Sequence, residues 1–187
     1  MAASRTPIRL PRVLVAESGH DGSRPPPGLD AGILLRSTDL ATVIERALAD
    51  SSPPAVDLDT IRGLDADDAA VAFLRRRLSI EILLTRRPKA ASAFAALGGL
   101  ALHNVFAFDS TGLRRSIASH PRGARVGTVI SPGLVLSHML PSELALLVRP
   151  VVAYGLINTV ADARACLEHA AAVVVRRSVA EDLAGGM

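Results

Sequence analysis

The chain has 187 residues, 49% hydrophobic and 21% charged, with a formal net charge of +3. That apolar fraction excludes an intrinsically disordered chain, and Cys166, the single cysteine, excludes a disulfide-stapled scaffold. The best apolar run, ALLVRPVVAYGLI from Ala145, is interrupted by Arg149 and Pro150 and is too short to cross a bilayer.

The length suits one domain, residues 1–187, with flexible termini expected at 1–11 and 184–187. The N-terminal MAASRTPIRLPRV lacks the apolar stretch of a secretory signal, which predicts a cytoplasmic protein. Lys89 is the sole lysine, so the basic character is carried by arginine, a side chain suited to phosphate or RNA and equally to a solvated surface. Four Phe, one Tyr and no Trp leave little material for an aromatic platform that stacks bases.

Taken in chain order, the first predicted strand is RVLVAES from Arg12, followed by a proline-rich SRPPPGLD where a first helix would stand. AGILLR from Ala31 is the second strand. It leads into an amphipathic helix over Thr38–Asp50, capped by Ser37 or Thr38, with Leu40, Val43, Ile44, Ala47 and Leu48 at helical spacing. AVDLD from Ala55 precedes a helix over Asp65–Leu78, whose acids lie in the first turn and whose Arg75, Arg76 and Arg77 lie in the last, complementing the helix dipole. IEILLT from Ile80, LALHNVFAF from Leu100, RVGTVIS from Arg125 and VVAYGLI from Val151 are the next strands. A helix over Thr159–Ala170, with a Thr cap and Asp162 at its third position, then leads to AAVVVR from Ala171.

Most of these strands are near-continuous apolar runs, as expected of parallel strands covered on both faces. Strict alternation of strand and helix predicts a parallel sheet with right-handed crossovers, and eight units of about 23 residues close into a small (βα)₈ TIM-type barrel with short loops and a degenerate first unit. The rival is an open doubly wound sheet, but GHDGSRPPPG is not its glycine fingerprint.

Function in such a barrel gathers at the carboxyl ends of the strands. Those ends read Glu17–Ser18, Arg36–Ser37, Asp57 and Asp59, Thr85–Arg86, Asp109–Ser110, Ser131–Pro132–Gly133, Gly155, and Arg176–Arg177–Ser178. Arginines and hydroxyls suit an anionic oxygen-rich ligand, and Asp57 and Asp109 suit the hydroxyls of a polyol. Gly155 and Ser178 occupy the phosphate corner of the fold, where helix-start amides attract an anion. Asp109 and Ser110 are equally read as the cap of a helix near Thr111.

His20, His103, His120, His138 and His169 lack metal-ligand spacing and read as surface or packing residues; His103, in an apolar strand, reads as a satisfied core or lumen histidine. Cys166 reads as a small buried hydrophobe. No nucleophile, base or metal set stands out in the sequence, and no cofactor is expected.

The ordered series AVDLDTIRGL, LLTRRPKA, FAFDSTGLRRSI, SPG and AYGLINTVADARACLEHAAAVVVRRS resembles the glycerol-3-phosphate-responsive antiterminator family, from roughly Val13 to Leu183. The resemblance implies a small (βα)₈-type barrel without catalysis. It further implies glycerol 3-phosphate, or a similar phosphorylated small molecule, as ligand and an mRNA leader as partner, with a homodimer as an option. The family's motifs fall on Val56, Asp57, Leu58, Gly63 and Leu64, then Thr85 and Arg86, Asp109 and Ser110, Pro132 and Gly133, Gly155 to Ile157, and Ser178. The chain departs from the pattern with Ala55 for a usual His, Asn104 for a basic residue and Tyr154 for a glycine. The acid before Pro132 is missing, and Arg176 and Arg177 stand for two hydroxyl residues. Two alternatives stay open. One is a phosphate-polyol or phosphate-sugar enzyme with Asp57 or Asp109 as base and Arg86 and Arg176 on the phosphate. The other is a partner-binding barrel whose pocket is filled by Tyr154 and the arginines.

Overall fold

The computed structural model describes residues 8–18, 24–50 and 52–186. His20, and residues 1–7 and 187 of the expected flexible termini, lie outside the described residues. Eight parallel strands close into a barrel in sequence order, β1 pairing with both β2 and β8. They are β1 (Val13–Glu17), β2 (Ala31–Leu35), β3 (Ala55–Asp57), β4 (Ile82–Thr85), β5 (Leu100–Phe106), β6 (Val126–Ser131), β7 (Val151–Tyr154) and β8 (Ala172–Val175). Around them stand α1 (Leu40–Ala49), α2 (Asp68–Arg76), α3 (Pro88–Ala96), α4 (Ser110–Ala118), α5 (Pro141–Leu144), α6 (Val160–Leu167) and α7 (Arg177–Gly185). Closure excludes the open doubly wound sheet. Between β1 and β2 the described stretch 24–30 contains no helix, as its run of prolines requires.

Side chains alternate along each strand between two apolar layers. Leu14, Leu34, Ala55, Ile82, Leu84, Leu100, Leu102, Val129, Val152, Ala172 and Val174 form the barrel interior. Their strand neighbours, among them Val15, Leu35, Val56, Leu83, Ala101, Ile130, Ala153 and Val173, pack outward under the helices. Both layers are apolar, which is why the strands read as unbroken runs. Ile8 and Leu10 pack on the interior cluster, and α7 runs on to Gly185.

The caps account for most helix starts. Thr159 caps α6 in a reciprocal box with Asp162, as expected. The cap of α1 is neither Ser37 nor Thr38: the carboxylate of Asp39 accepts from the Thr42 amide at 2.9 Å. Ser37 is held in a positive-φ turn (φ 51°) with its amide on the Thr60 hydroxyl, and the Thr38 carbonyl accepts from the Arg62 amide, so both are committed to the β2–β3 side. Helix α2 starts at Asp68 behind an Asp67 cap, three residues later than its acidic run suggests.

Candidate ligand site at the mouth of the barrel

The alternation that builds the interior also sorts the strand ends. Counting by twos upward from interior residues reaches Arg36, Asp57, Arg86, Asn104, Ser131, Tyr154 and Arg176, which therefore ring the carboxyl mouth. The opposite parity reaches Glu17, Thr85, His103 and Thr128, all buried toward the helix layer. Of the residues marked from the sequence, Asp57, Arg86 and Arg176 thus come together on the mouth. Thr85 and Arg177 are turned away from it.

Asp57 is a buried carboxylate of the mouth, 8% exposed. Burial pushes its pKa up to about 6, and neighbouring Asp59 adds to this, while Arg36, Arg86 and the Asp59 amide partly oppose it. Asp59 is fully engaged: it accepts from the Thr85 hydroxyl at 3.2 Å, the Arg86 amide at 2.5 Å and Arg87 Nε at 3.3 Å. Asp59 therefore anchors the β4–α3 loop that carries Arg86, whose side chain is 57% exposed.

Tyr154 packs its ring on the interior cluster, and the Arg36 guanidinium lies 5.3 Å from the ring centroid. Burial pushes the Tyr154 hydroxyl up to about 12, so it stays protonated and can donate. Across the mouth, the Ser131 hydroxyl donates to Asn104 Oδ1 at 2.9 Å. The sequence marks Arg36 and Ser131 only as strand ends, and Asn104 and Tyr154 only as departures. Counting by twos from the apolar positions is the signal that joins them.

The glycine corner is a second built feature. The Gly133 amide donates to the Gly155 carbonyl at 3.0 Å, tying the β6 and β7 loops together. Gly155 (φ +85°) and Leu156 (φ 59°) turn through the left-handed region, which favours glycine at the first and strains the second. Beneath them the buried Cys166 thiol donates to the Gly133 carbonyl at 3.5 Å, and burial raises its pKa to about 11, in keeping with a packing role. Arg176 donates to the Asn158 carbonyl at 3.2 Å, reaching from β8 to the β7 loop. Ser178 lies exposed in the first turn of α7, whose start has no side-chain cap.

Two marked groups have structural partners. Asp109 caps α4, accepting from the Gly112 amide at 2.6 Å, with Ser110 as the first helical residue. Arg177 pairs with buried Glu17 and donates to the Arg24 carbonyl at 3.1 Å; Glu17 also meets Arg46 at 3.5 Å. His103 is buried in the outer layer, edge-on to His120 with ring centroids 4.8 Å apart. Its Nε2 meets the Arg86 carbonyl at 3.2 Å while its buried Nδ1 has no partner among the described residues, so the expected full satisfaction is only half met. Burial holds both histidines below the ordinary imidazole range. At the rim, Phe106 and Phe108 stack with centroids 5.6 Å apart and Phe108 is 76% exposed, so the scarce aromatics include one solvent-facing pair. A cavity of about 550 Å³ lies at the opposite, amino end, lined by Arg9, Pro11, Leu14, Ala55, Glu81 and Ile82 among others.

Among the described residues no group of His, Cys, Asp and Glu is placed to hold a metal ion, and no helix is long and apolar enough to cross a membrane. A model of the family described as "Glycerol-3-phosphate responsive antiterminator" matches residues 32–179. Comparison with curated proteins finds no match. Among solved structures, a glycerol uptake operon antiterminator-related protein from Thermotoga maritima superposes with a TM-score of 0.75 at 21% identity, covering 92% of this chain and 99% of that one. A glycerol uptake operon antiterminator regulatory protein from Listeria monocytogenes superposes with a TM-score of 0.69 at 20% identity, covering 91% and 94%. These likenesses carry the fold, and the family match carries the kinship: the chain belongs to the glycerol-3-phosphate responsive antiterminator family.

Proposed function

We propose that this protein is a ligand-gated regulator that binds glycerol 3-phosphate at the carboxyl mouth and, in the liganded state, binds an mRNA leader to control transcription of glycerol-metabolism genes. The reading rests on one arrangement: a buried carboxylate, Asp57, set between the guanidinium groups of Arg36 and Arg86, which act on it electrostatically. A polyol phosphate carries hydroxyls for the carboxylate and an anion for the arginines. Arg176, the joined turns at Gly133 and Gly155, and the amides around Ser178 are the phosphate side of this reading. Thr85, bonded to Asp59, supports the loop of Arg86. Asp109 and Ser110, on the α4 cap, border the site, and Pro132 positions Gly133. Regulation requires that the ligand favour one of two states of the rim; its differential affinity supplies the drive.

Titration calorimetry with glycerol 3-phosphate, glycerol and inorganic phosphate tests the ligand. Saturable heat with the ester, weakened in Arg36→Ala and Arg86→Ala, is expected. No heat at millimolar ester would overturn the reading.

The enzyme reading draws on the raised pKa of Asp57, which a general base would also show. Asp59, the adjacent carboxylate, is consumed by hydrogen bonds, which leaves Asp57 without an acid partner there and favours binding. Phosphorus NMR of the ester incubated with the protein separates the two: turnover supports an enzyme, an unchanged spectrum a receptor.

A further inference from the structure

The parallel barrel brings every segment that precedes a strand to the amino end. Of four consecutive strands, β6, β7, β8 and β1, three are entered there by segments that carry arginine: Arg122 and Arg125 before β6, Arg149 before β7, and Arg9 and Arg12 before β1. Backbone hydrogen bonds hold this edge in register. The Arg125 carbonyl accepts from Ala101, the Pro150 carbonyl from Thr128, and the Arg12 carbonyl from Val173, at 2.9, 2.9 and 3.0 Å. The arc from β6 to β1 spans three strand spacings, roughly 14 Å.

Helix dipoles explain arginine at helix C-termini such as Arg75, Arg76 and Arg115. They do not explain these, which lie in loops. Arg12, Arg122 and Arg149 are exposed, and among the described residues none has a carboxylate within ion-pair distance. Arg9 pairs with Asp30 at 2.9 Å, and Arg125 spends one donor on the Gly98 carbonyl. Glu168 is the one carboxylate among the described residues of the segments that enter these four strands. The mouth end differs: there the helix starts are capped by Asp39, Asp67 and Asp109, and Asp57 and Asp59 stand beside the arginines. Helix caps thus add carboxylates at the mouth, while the loops that enter β6, β7 and β1 carry guanidinium groups at the other end.

We infer that the amino-end face formed by Arg12, Arg122, Arg125 and Arg149 is the surface that engages the phosphate backbone of RNA, at the opposite end of the barrel from the ligand mouth. Arginine is the side chain that recognises phosphate in a bidentate fork, and a cluster of uncompensated guanidinium groups releases counterions when it binds a polyanion. The inference rests on the proposed RNA regulation and adds its location. It also separates the two ligands in space, so each can be removed without the other.

The test uses a short labelled RNA hairpin with single-stranded flanks, titrated with the full chain with and without glycerol 3-phosphate, across about 50 to 200 mM salt. The triple variant Arg12→Gln, Arg122→Gln, Arg149→Gln is compared with a charge-matched control, Arg62→Gln, Arg114→Gln, Arg164→Gln. Calorimetry with glycerol 3-phosphate and circular dichroism on each variant verify the fold. The expected result is affinity lower by about tenfold or more in the amino-face variant, with a salt slope smaller by about two to three, the control staying close to wild type. Equal losses in both triples would reduce the effect to net charge and overturn the surface while leaving RNA regulation standing. Wild-type protein that ignores RNA in both ligand states would overturn the RNA reading and this surface together.

Discussion

The carboxylates of Asp57 and Asp59, two positions apart at the end of β3, have divided roles: Asp59 is consumed by the Thr85 hydroxyl, the Arg86 amide and Arg87, while Asp57 is buried at the mouth with its pKa raised to about 6. The first fixes a loop at a gain in hydrogen bonding. The second is held ionised at neutral pH against the preference of its surroundings.

Asp57→Asn is expected to stabilise the ligand-free protein at pH 7.5 while weakening glycerol 3-phosphate binding. The folded pKa of Asp57 is raised from 3.8 to about 6. Its contribution to stability is therefore full below about pH 4 and is lost as pH rises through about 6, with an upper magnitude of about 3 kcal/mol. Urea denaturation at pH 4.5 and 7.5 checks this: wild type should lose more stability than the Asn variant over that interval. Parallel pH profiles would contradict the assignment.

Arginines on the two strand parities should fail in different ways. Arg36→Ala and Arg86→Ala are each expected to weaken ester binding on the order of tenfold, as loss of a charge-assisted contact does, with little change in stability. Arg177→Ala should instead destabilise the fold by about 2 kcal/mol, below the range for a fully buried pair because Arg46 remains beside Glu17 at 3.5 Å. Calorimetry and chemical denaturation on the three variants distinguish the two outcomes.

The glycine corner makes a steric prediction. A Cβ on Gly133 would lie 2.8 Å from the Tyr154 amide nitrogen and 3.0 Å from Ala153 Cβ, so Gly133→Ala must displace backbone and should cost about 1–3 kcal/mol. Gly155→Ala meets nothing within 4 Å, and its cost is the left-handed backbone alone, about 1–2 kcal/mol. Thermal denaturation measures both, and calorimetry should show weaker ester binding in Gly133→Ala, where the corner itself moves.

Cys166 offers an intrinsic probe of that corner. Its thiol is fully buried and its pKa is raised to about 11, so alkylation at pH 8 should proceed only through opening of the structure. Saturating glycerol 3-phosphate is expected to slow the reaction with iodoacetamide. An unchanged rate would argue that the ligand does not hold the Gly133–Gly155 corner.

Local sequence determined the ring of strands and the approximate places of α1, α2 and α6, though not the cap of α1 or the start of α2. Eight apolar runs separated by polar breaks, prolines from Pro25 to Pro27 in place of a helix, and the Thr159–Asp162 box are short-range signals, and each is realised in the structure. What the local signals could not decide was the direction each strand-end side chain faces. In a parallel barrel both strand faces are apolar, so Arg176 and Arg177 look alike in sequence, yet one crosses the rim to Asn158 and the other pairs with Glu17. Their parity follows from register between strands distant in the chain, and that register exists only once the barrel has closed. The same closure gathers Arg12, Arg122 and Arg149 onto one face, because position along the barrel axis depends on strand direction and not on distance in sequence.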